Sequence, residues 1–229
     1  MNQVIISGLF TWLTIKSLSS KEKRESNERF AILGSRMLGV SVPDIRKLSK
    51  EIGKDHLLAE ELWKSGIHEA RILATMIDDP RQVTEDQMDN WIRGFDSWDI
   101  CDHACGNLFD RTQFAYRKAA EWTKREREYE KRAGFALIAY LAVHDKQSDD
   151  RRFIKFLPII KAAAGDERNF VKKAVNWALR EIGKRNTALN KAAIETAKQI
   201  KQMNSKSAKW IANDALRELQ SDAVQKRLS

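Results

Sequence analysis

The sequence contains few of the residues that interrupt or cross-link a chain: two cysteines, three prolines and ten glycines among 229 residues. Cys101 and Cys105 stand four positions apart, a spacing that places them side by side on a helix and suits a structural disulfide poorly. With so little proline and glycine, and with apolar residues recurring at every third or fourth position, the sequence predicts helix nearly throughout. We therefore expect an all-α protein. Its expected helix starts are marked by Asp55, Thr84, Ser97, Asp166, Asn186 or Thr187, and Ser205 or Ser207.

Long hydrophobic runs are also lacking. The most apolar stretch, Val4 to Ile15, is broken by small polar residues and is shorter than the roughly 20 residues that a membrane helix needs. No basic residues precede it, as they would in a secretory signal. We expect a cytoplasmic protein without a membrane partner. A hydrophobic content of 42% excludes disorder as the main state.

Positive charge is concentrated in the second half of the chain. Residues 1–115 hold 15 basic and 18 acidic side chains, whereas residues 116–229 hold 26 and 14, and the formal net charge is +9. Such a distribution favours a polyanion as the partner of the second half. A solvated basic surface without a partner is the alternative.

Three segments resemble one another at a spacing near 40 residues. The segment at residues 171–182, VKKAVNWALREI, matches AKWIANDALREL at residues 208–219 with an offset of 37, and residues 131–141 match more weakly at an offset of 41. Periods of this length are typical of HEAT-like solenoids built from helix pairs; chance similarity among alanine-rich helices is the alternative. We expect one curved helical-repeat domain over residues 1–229 with a basic concave face. The helices of residues 1–35 are the least clearly marked.

Trp177 lies in a basic helix but outside its apolar stripe. On a helical wheel its neighbours are Lys173, Arg180 and Lys184, at the edge of the face that Phe170 and the small apolar residues form. An indole among cations suits DNA, because the ring can lie against sugar or base while the cations contact phosphate. Alternatively, Trp177 covers an adjacent repeat, with the lysine stems packed over it.

Trp98 and Asp102 are a second group of candidate functional residues. Ser97 is a predicted N-cap, so Trp98 begins a helix and Asp102 lies one turn later on the same face. Asp99 points elsewhere and has an ordinary role in favouring the helix dipole. A carboxylate beside an indole can stabilise a developing cation or orient a water molecule. A packed tryptophan beside a surface aspartate is the alternative.

A metal site is not expected near this segment. His103 lies between Cys101 and Cys105 in sequence but projects from a different side of the helix, and no fourth ligand follows at a suitable spacing.

Lys131 and Arg132 precede an apolar run that indicates a helix buried among others. We place these cations at the first turn, where Arg132 could clamp a phosphate. The alternative is an arginine whose stem is packed and whose charge pairs with Glu128 or Glu130.

Together these segments resemble the AlkD-type DNA alkylation repair family, which consists of helical-repeat glycosylases that remove alkylated purines. The resemblance runs from about Leu38 to the C-terminal repeat and is carried by four matching residues, Trp98, Asp102, Arg132 and Trp177. It implies release of cationic N3-methyladenine and N7-methylguanine from duplex DNA, without insertion of the base into a protein pocket.

The resemblance also implies a role for each matching residue. Asp102 would stabilise the positive sugar and position water, Trp98 and Trp177 would pack on deoxyribose, and Arg132 would hold phosphate. No cofactor or metal is implied, and we expect a monomer. The basic residues expected to contact DNA are Lys131, Arg168, Lys172, Lys173, Arg180, Lys184, Arg185, Lys206 and Lys209.

Two other functions stay open at this point. One is a non-catalytic repair protein that recognises distorted or branched DNA by shape and phosphate contact. The other is a HEAT scaffold that binds proteins, the generic use of such solenoids.

Overall fold

The computed structural model describes residues 11–29 and 36–228, with side chains for residues 11–25 and 36–228. All regular structure in these residues is helical, as the composition predicts. The helices expected within residues 1–35 are present at residues 11–17 and Lys21–Arg29; the rest of that expectation lies outside the described residues. Among the described residues, no helix combines the length and apolar character needed to span a bilayer.

The chain divides into two compact units, Met1–Gln113 and Phe114–Ser229. The first unit contains α1 (residues 11–17), α2 (Lys21–Arg29), α3 (Val42–Ile52), α4 (His56–Lys64), α5 (His68–Ile77), α6 (Glu85–Arg93), α7 (Trp98–Asn107) and a 3-10 turn (Phe109–Arg111). The second contains α8 (Ala115–Trp122), α9 (Glu128–His144), α10 (Asp150–Ile154), α11 (Phe156–Ala163), α12 (Asn169–Gly183), α13 (Thr187–Lys201), α14 (Lys206–Leu219) and α15 (Asp222–Leu228).

Side-chain caps fix the start of many helices. Asp55, Thr84, Asn186 and Ser205 each accept a hydrogen bond from a backbone N–H in the first turn of the helix that follows. These groups would otherwise lack partners, because the first four N–H groups of a helix have none within it. All four residues are marked in the sequence as helix starts, and these predictions are confirmed.

One predicted start is displaced. Asp166, which follows Gly165, accepts a hydrogen bond from the N–H of Arg168 and closes a turn ahead of the helix. α12 therefore begins only at Asn169. The sequence shows a turn residue here but not how many residues the turn uses.

In the first unit, α3, α5 and α7 pack side by side, and α4 packs on α5. α4 and α6 meet through Trp63 and Trp91, whose rings stack with centroids 4.0 Å apart. The indole N–H of Trp91 donates to Glu60 at 3.2 Å, so this buried aromatic pair has its polar group satisfied. Helices α3 to α7 thus form two layers, with the core between them.

In the second unit, α9, α12 and α14 form one layer, and α8, α11 and α13 pack against it. The three helices of the first layer contain the three similar segments of the sequence. Equivalent positions are buried, as shown by Ala174 and Ile211, and by Ala178 and Ala215. The similarity therefore reflects one repeated pattern of burial.

α9 is buried on all sides from Ala133 to Ala139, as its apolar run predicts. Gly134 allows this, because a Cβ at that position would lie 2.5 Å from the backbone nitrogen of Thr123. The C-terminal end of α8 therefore approaches the backbone of α9 at Gly134 more closely than a side chain there would permit.

We expect Gly134→Ala to destabilise the protein by about 1–3 kcal/mol, because the backbone of Thr123 must move to admit the methyl group. Gly165→Ala is the matched control, since its Cβ would find only the end of the Met203 side chain, at 3.9 Å. Urea unfolding monitored by circular dichroism measures both changes. Equal stabilities for the two variants would contradict the close approach.

Candidate nucleic-acid interface and active site

α7 presents two of the four family-matching residues. Trp98 is its first residue and Asp102 lies one turn later, and both side chains are half-exposed. Residues four apart share a helix face, so the indole and the carboxylate are neighbours on the part of α7 that the core leaves uncovered. This is the local arrangement that the sequence predicts.

Asp99, between them in sequence, is buried. Its carboxylate lies 2.7 Å from Nε2 of His68, at the start of α5, and accepts a 2.6 Å hydrogen bond from the hydroxyl of Ser97. Ser97 is the N-cap residue as predicted, but its hydroxyl bonds Asp99 and makes no cap hydrogen bond. Asp99 therefore ties the first turn of α7 to α5.

The pair changes the titration of both groups. Burial by itself would lower the pKa of His68, but the hydrogen bond and charge of Asp99 outweigh it and the pKa is raised. Burial would likewise raise the pKa of Asp99, yet the hydrogen bond and charge of His68 hold it below its usual range. The two groups therefore favour a charged pair.

The sequence interpretation misses this pair. His68 and Asp99 are 31 residues apart, and nothing in either local pattern connects them. The one available signal is the position of Asp99 in the first turn of a predicted helix.

The cysteines of α7 are buried thiols. Burial and the hydrogen bond between Cys105 and Cys101 raise the pKa of Cys105 far above its usual range, which disfavours the thiolate that metal binding needs. Burial lowers the pKa of His103, whose Nδ1 lies 3.2 Å from the amide nitrogen of Asn107. Within residues 11–29 and 36–228, no group of three or more histidine, cysteine or acidic side chains is arranged to hold a metal.

Trp177 is half-exposed and packs edge-on against Tyr140 of α9, with ring centroids 4.9 Å apart. It therefore covers part of an adjacent repeat, as one of the two sequence interpretations has it, while part of the residue stays accessible. A second aromatic contact, Tyr129 with Phe170 at 5.5 Å, joins the same two helices closer to their N-terminal ends.

Arg132 is 6% exposed, and its Nη1 donates to the carbonyl of Phe170 at 2.8 Å. α9 begins at Glu128, so Arg132 lies in the second helical turn and not in the first. The error arises because Glu128 and Tyr129 extend the helix ahead of the apolar run. Arg132 thus joins α9 to α12, and direct phosphate contact by its guanidinium stays a prediction.

Six of the nine predicted DNA-contacting cations have partners within the protein. Lys131 and Arg168 both pair with Asp166, at 2.9 and 2.6 Å. Arg168 and Lys131 thereby hold the pKa of that carboxyl well below its usual range. The other engaged cations are Arg180 and Lys184, which pair with Glu218, Arg185, which donates to the carbonyl of Ala142, and Lys172, whose Nζ lies 5.1 Å from the Trp210 ring.

The remaining three cations are Lys173, Lys206 and Lys209, all exposed. Within the part of the chain that the structure describes, no acidic group forms an ion pair with them. These lysines are therefore the members of the predicted set whose charge is most available to an external anion.

A family model for the DNA alkylation repair enzymes matches residues 13–219. The chain belongs to the DNA alkylation repair enzyme family. A solved structure described as a new family of proteins related to the HEAT-like repeat DNA glycosylases, with affinity for branched DNA structures, is 20% identical, with a TM-score of 0.80 over 96% of this chain and 94% of the other. This likeness confirms the HEAT-like repeat fold.

A designed armadillo repeat protein in complex with a (KR)4 peptide gives a TM-score of 0.35 at 14% identity, over 81% of this chain and 89% of the other. No curated protein matches the chain.

The four family-matching residues are divided between the two units. Trp98 and Asp102 belong to the first unit, and Arg132 and Trp177 to the second. Their convergence on one surface stays a prediction.

We expect His68→Gln to lower the free energy of unfolding by about 1–3 kcal/mol at pH 6, since it removes a buried charge-assisted hydrogen bond. Because the pKa of His68 is raised on folding, this stabilisation is complete below the ordinary histidine value of about 6.5 and is lost as the pH rises through the folded value. The deficit of the variant should therefore shrink between pH 6 and pH 9 in urea unfolding.

The exposed histidine at the end of α9 provides the control, and His144→Gln should change stability by less than about 0.5 kcal/mol at either pH. A His68→Gln deficit that grows toward pH 9 would have the wrong sign for this pair.

Proposed function

We propose that this protein is a DNA glycosylase that releases cationic alkylated purines, N3-methyladenine and N7-methylguanine, from duplex DNA. The observation that carries the proposal is the difference in burial between the two aspartates of α7. Asp99 is buried between α5 and α7, whereas Asp102 is half-buried one turn after the half-buried Trp98, so that both Asp102 and Trp98 are in part accessible to a ligand. The family to which the chain belongs is described as DNA alkylation repair enzymes.

The chemistry requires little more than a carboxylate. As the bond between sugar and base breaks, positive charge develops on the deoxyribose, and a nearby carboxylate lowers the energy of that state. Asp102 would supply this charge and orient the attacking water molecule. A base that is already cationic departs without gaining a proton, so a general acid is dispensable.

Aromatic and basic side chains would hold the DNA. The accessible faces of Trp98 and Trp177 would pack on deoxyribose, and Lys173, Lys206 and Lys209 would contact phosphate. Arg132 is buried and donates to the carbonyl of Phe170 near the start of α12. It would therefore position α12 for contact with DNA, and its guanidinium would bind a phosphate directly only after leaving Phe170.

We expect Asp102→Asn to abolish release of methylated purines from methylated duplex DNA while binding of that DNA changes less than about threefold. The substitution keeps the shape of the side chain and removes the charge that the transition state needs. Quantification of released bases by chromatography, alongside fluorescence anisotropy with the same duplex, measures both quantities.

Asp96→Asn is the matched control, because it removes one negative charge from the same segment at a side chain that is 42% exposed and lies 3.5 Å from Arg71. Base release should persist in this variant. Unchanged release by Asp102→Asn, or equal loss in both variants, would contradict the proposed role of Asp102.

A second candidate function is non-catalytic recognition of branched DNA. It is favoured by the structural relative described as having affinity for branched DNA. DNA binding without base release by the unmodified protein, together with preference for a four-way junction over linear duplex, would select this function.

We expect Lys173→Ala to reduce the slope of log affinity against log salt concentration by about 0.9, the share of one phosphate contact in duplex DNA. Lys198→Ala makes the same change in charge at an exposed position on α13, which lies in the other layer of the second unit. Titration by anisotropy at several salt concentrations gives both slopes. Equal reductions in the two variants would indicate a diffuse charge effect without a contact at Lys173.

A further inference from the structure

Trp210 is the most exposed tryptophan of the described residues, at 42%. Its position on α14 explains the exposure. The buried stripe of this helix is formed by Ala208, Ile211, Ala215 and residues in line with them, and at about 100° per residue Trp210 falls on the opposite side. No packing requirement therefore accounts for the largest apolar side chain at this position.

The equivalent position one repeat earlier has a different residue. An offset of 37 places Trp210 at the position that Lys173 occupies on α12, and Lys173 is exposed. Both helices thus direct this position to solvent, and in α14 it carries an indole in place of a cation.

Cations surround the indole. The ammonium of Lys172, reaching across from α12, lies 5.1 Å from the ring centroid, and exposed Lys206 and Lys209 lie on α14 itself. One face of the ring thereby makes a cation-π contact, while 42% of the residue remains exposed.

Two acidic groups lie near the indole, and the cations outnumber them. Asp214, one turn further along α14, accepts from Asn176 at 2.7 Å and pairs with Arg180 at 3.6 Å and with Arg217. Glu167 is an exposed carboxylate that accepts hydrogen bonds from Ser205 and Ser207 at the start of α14 and interacts electrostatically with Lys172 and Lys206. The surface around Trp210 is therefore positive on balance and suits an anionic partner.

We propose that Trp210 is a stacking platform for an unpaired nucleotide of DNA, with Lys206 and Lys209 holding the flanking phosphates. Exposed aromatic rings in positive surroundings bind single strands by stacking on bases, and all four bases offer a suitable face. The bases of an intact duplex are stacked on each other, so the platform selects a strand that leaves the duplex, as at a fork or flap. The inference rests on DNA being the partner in the proposed function.

The experiment compares two DNAs of equal duplex length by fluorescence anisotropy. In the first DNA, a non-nucleotide linker joins the two strands at each end of the duplex, so no base is unpaired. The second DNA, called the armed DNA, carries a single-stranded arm of about eight nucleotides. The parent protein should bind the armed DNA more tightly. Trp210→Ala should weaken binding of the armed DNA by about tenfold and of the closed duplex by less than twofold, as expected for loss of one stacked base.

Trp210→Phe is the matched control, since it keeps an aromatic face at the same position and should recover most of the lost affinity. Helical content measured by circular dichroism should be the same in all three proteins, because the side chain is outside the core. An armed DNA in which every nucleotide of the single-stranded arm is abasic should bind the parent protein and Trp210→Ala equally well.

Equal affinity of parent and Trp210→Ala for the armed DNA would overturn the proposal, as would an equal loss for both DNAs. Binding of anionic phosphatidylglycerol vesicles that depends on Trp210, without an effect on armed DNA, would assign the surface to a membrane and overturn it too. Absence of base release by the parent protein would remove the glycosylase function but leave the comparison of the two DNAs intact, so the two failures are distinguishable.

Discussion

Burial of one apolar stripe per repeat helix is the constraint that determines where chemistry can occur in this protein. In α12, Val171, Ala174 and Ala178 are fully buried against neighbouring helices. A helix that gives up this face retains only its opposite side and its edges for contact with a ligand. The half-exposed Trp177 at the edge and the exposed Lys173 and Trp210 on the outer side are direct results.

The same constraint explains how much of the fold could be predicted. Spacing of apolar residues, capping residues such as Asn186 and Ser205, and the offset of 37 residues between α12 and α14 are local or periodic signals, and each identified its helix correctly. The start of α12 was misplaced because the bond from Arg168 to Asp166 adds a turn before the helix. Periodicity carries no information about such a turn.

Less of the candidate site could be predicted, because its electrostatics depend on contacts between distant residues. The helical wheel placed Arg180 and Lys184 beside Trp177 but could not show that Glu218, on the next repeat helix, pairs with both. Likewise, Asp99 was assigned to the helix dipole because His68 lies on another helix. Sequence spacing defines neighbours within a helix, whereas ion pairing is decided between helices.

Acidic side chains link successive repeats in one further way. Glu128 accepts from the N–H of Phe170, and Glu167 from the N–H of Ser207, so a carboxylate of one repeat satisfies the backbone at the start of the next repeat helix. α9 is buried throughout its middle, whereas α15 buries Val224 alone. Amide hydrogens should therefore exchange with solvent most slowly in α9 and progressively faster toward the C-terminus. A repeat protein linked in this way loosens from its end, while its central helices keep their structure.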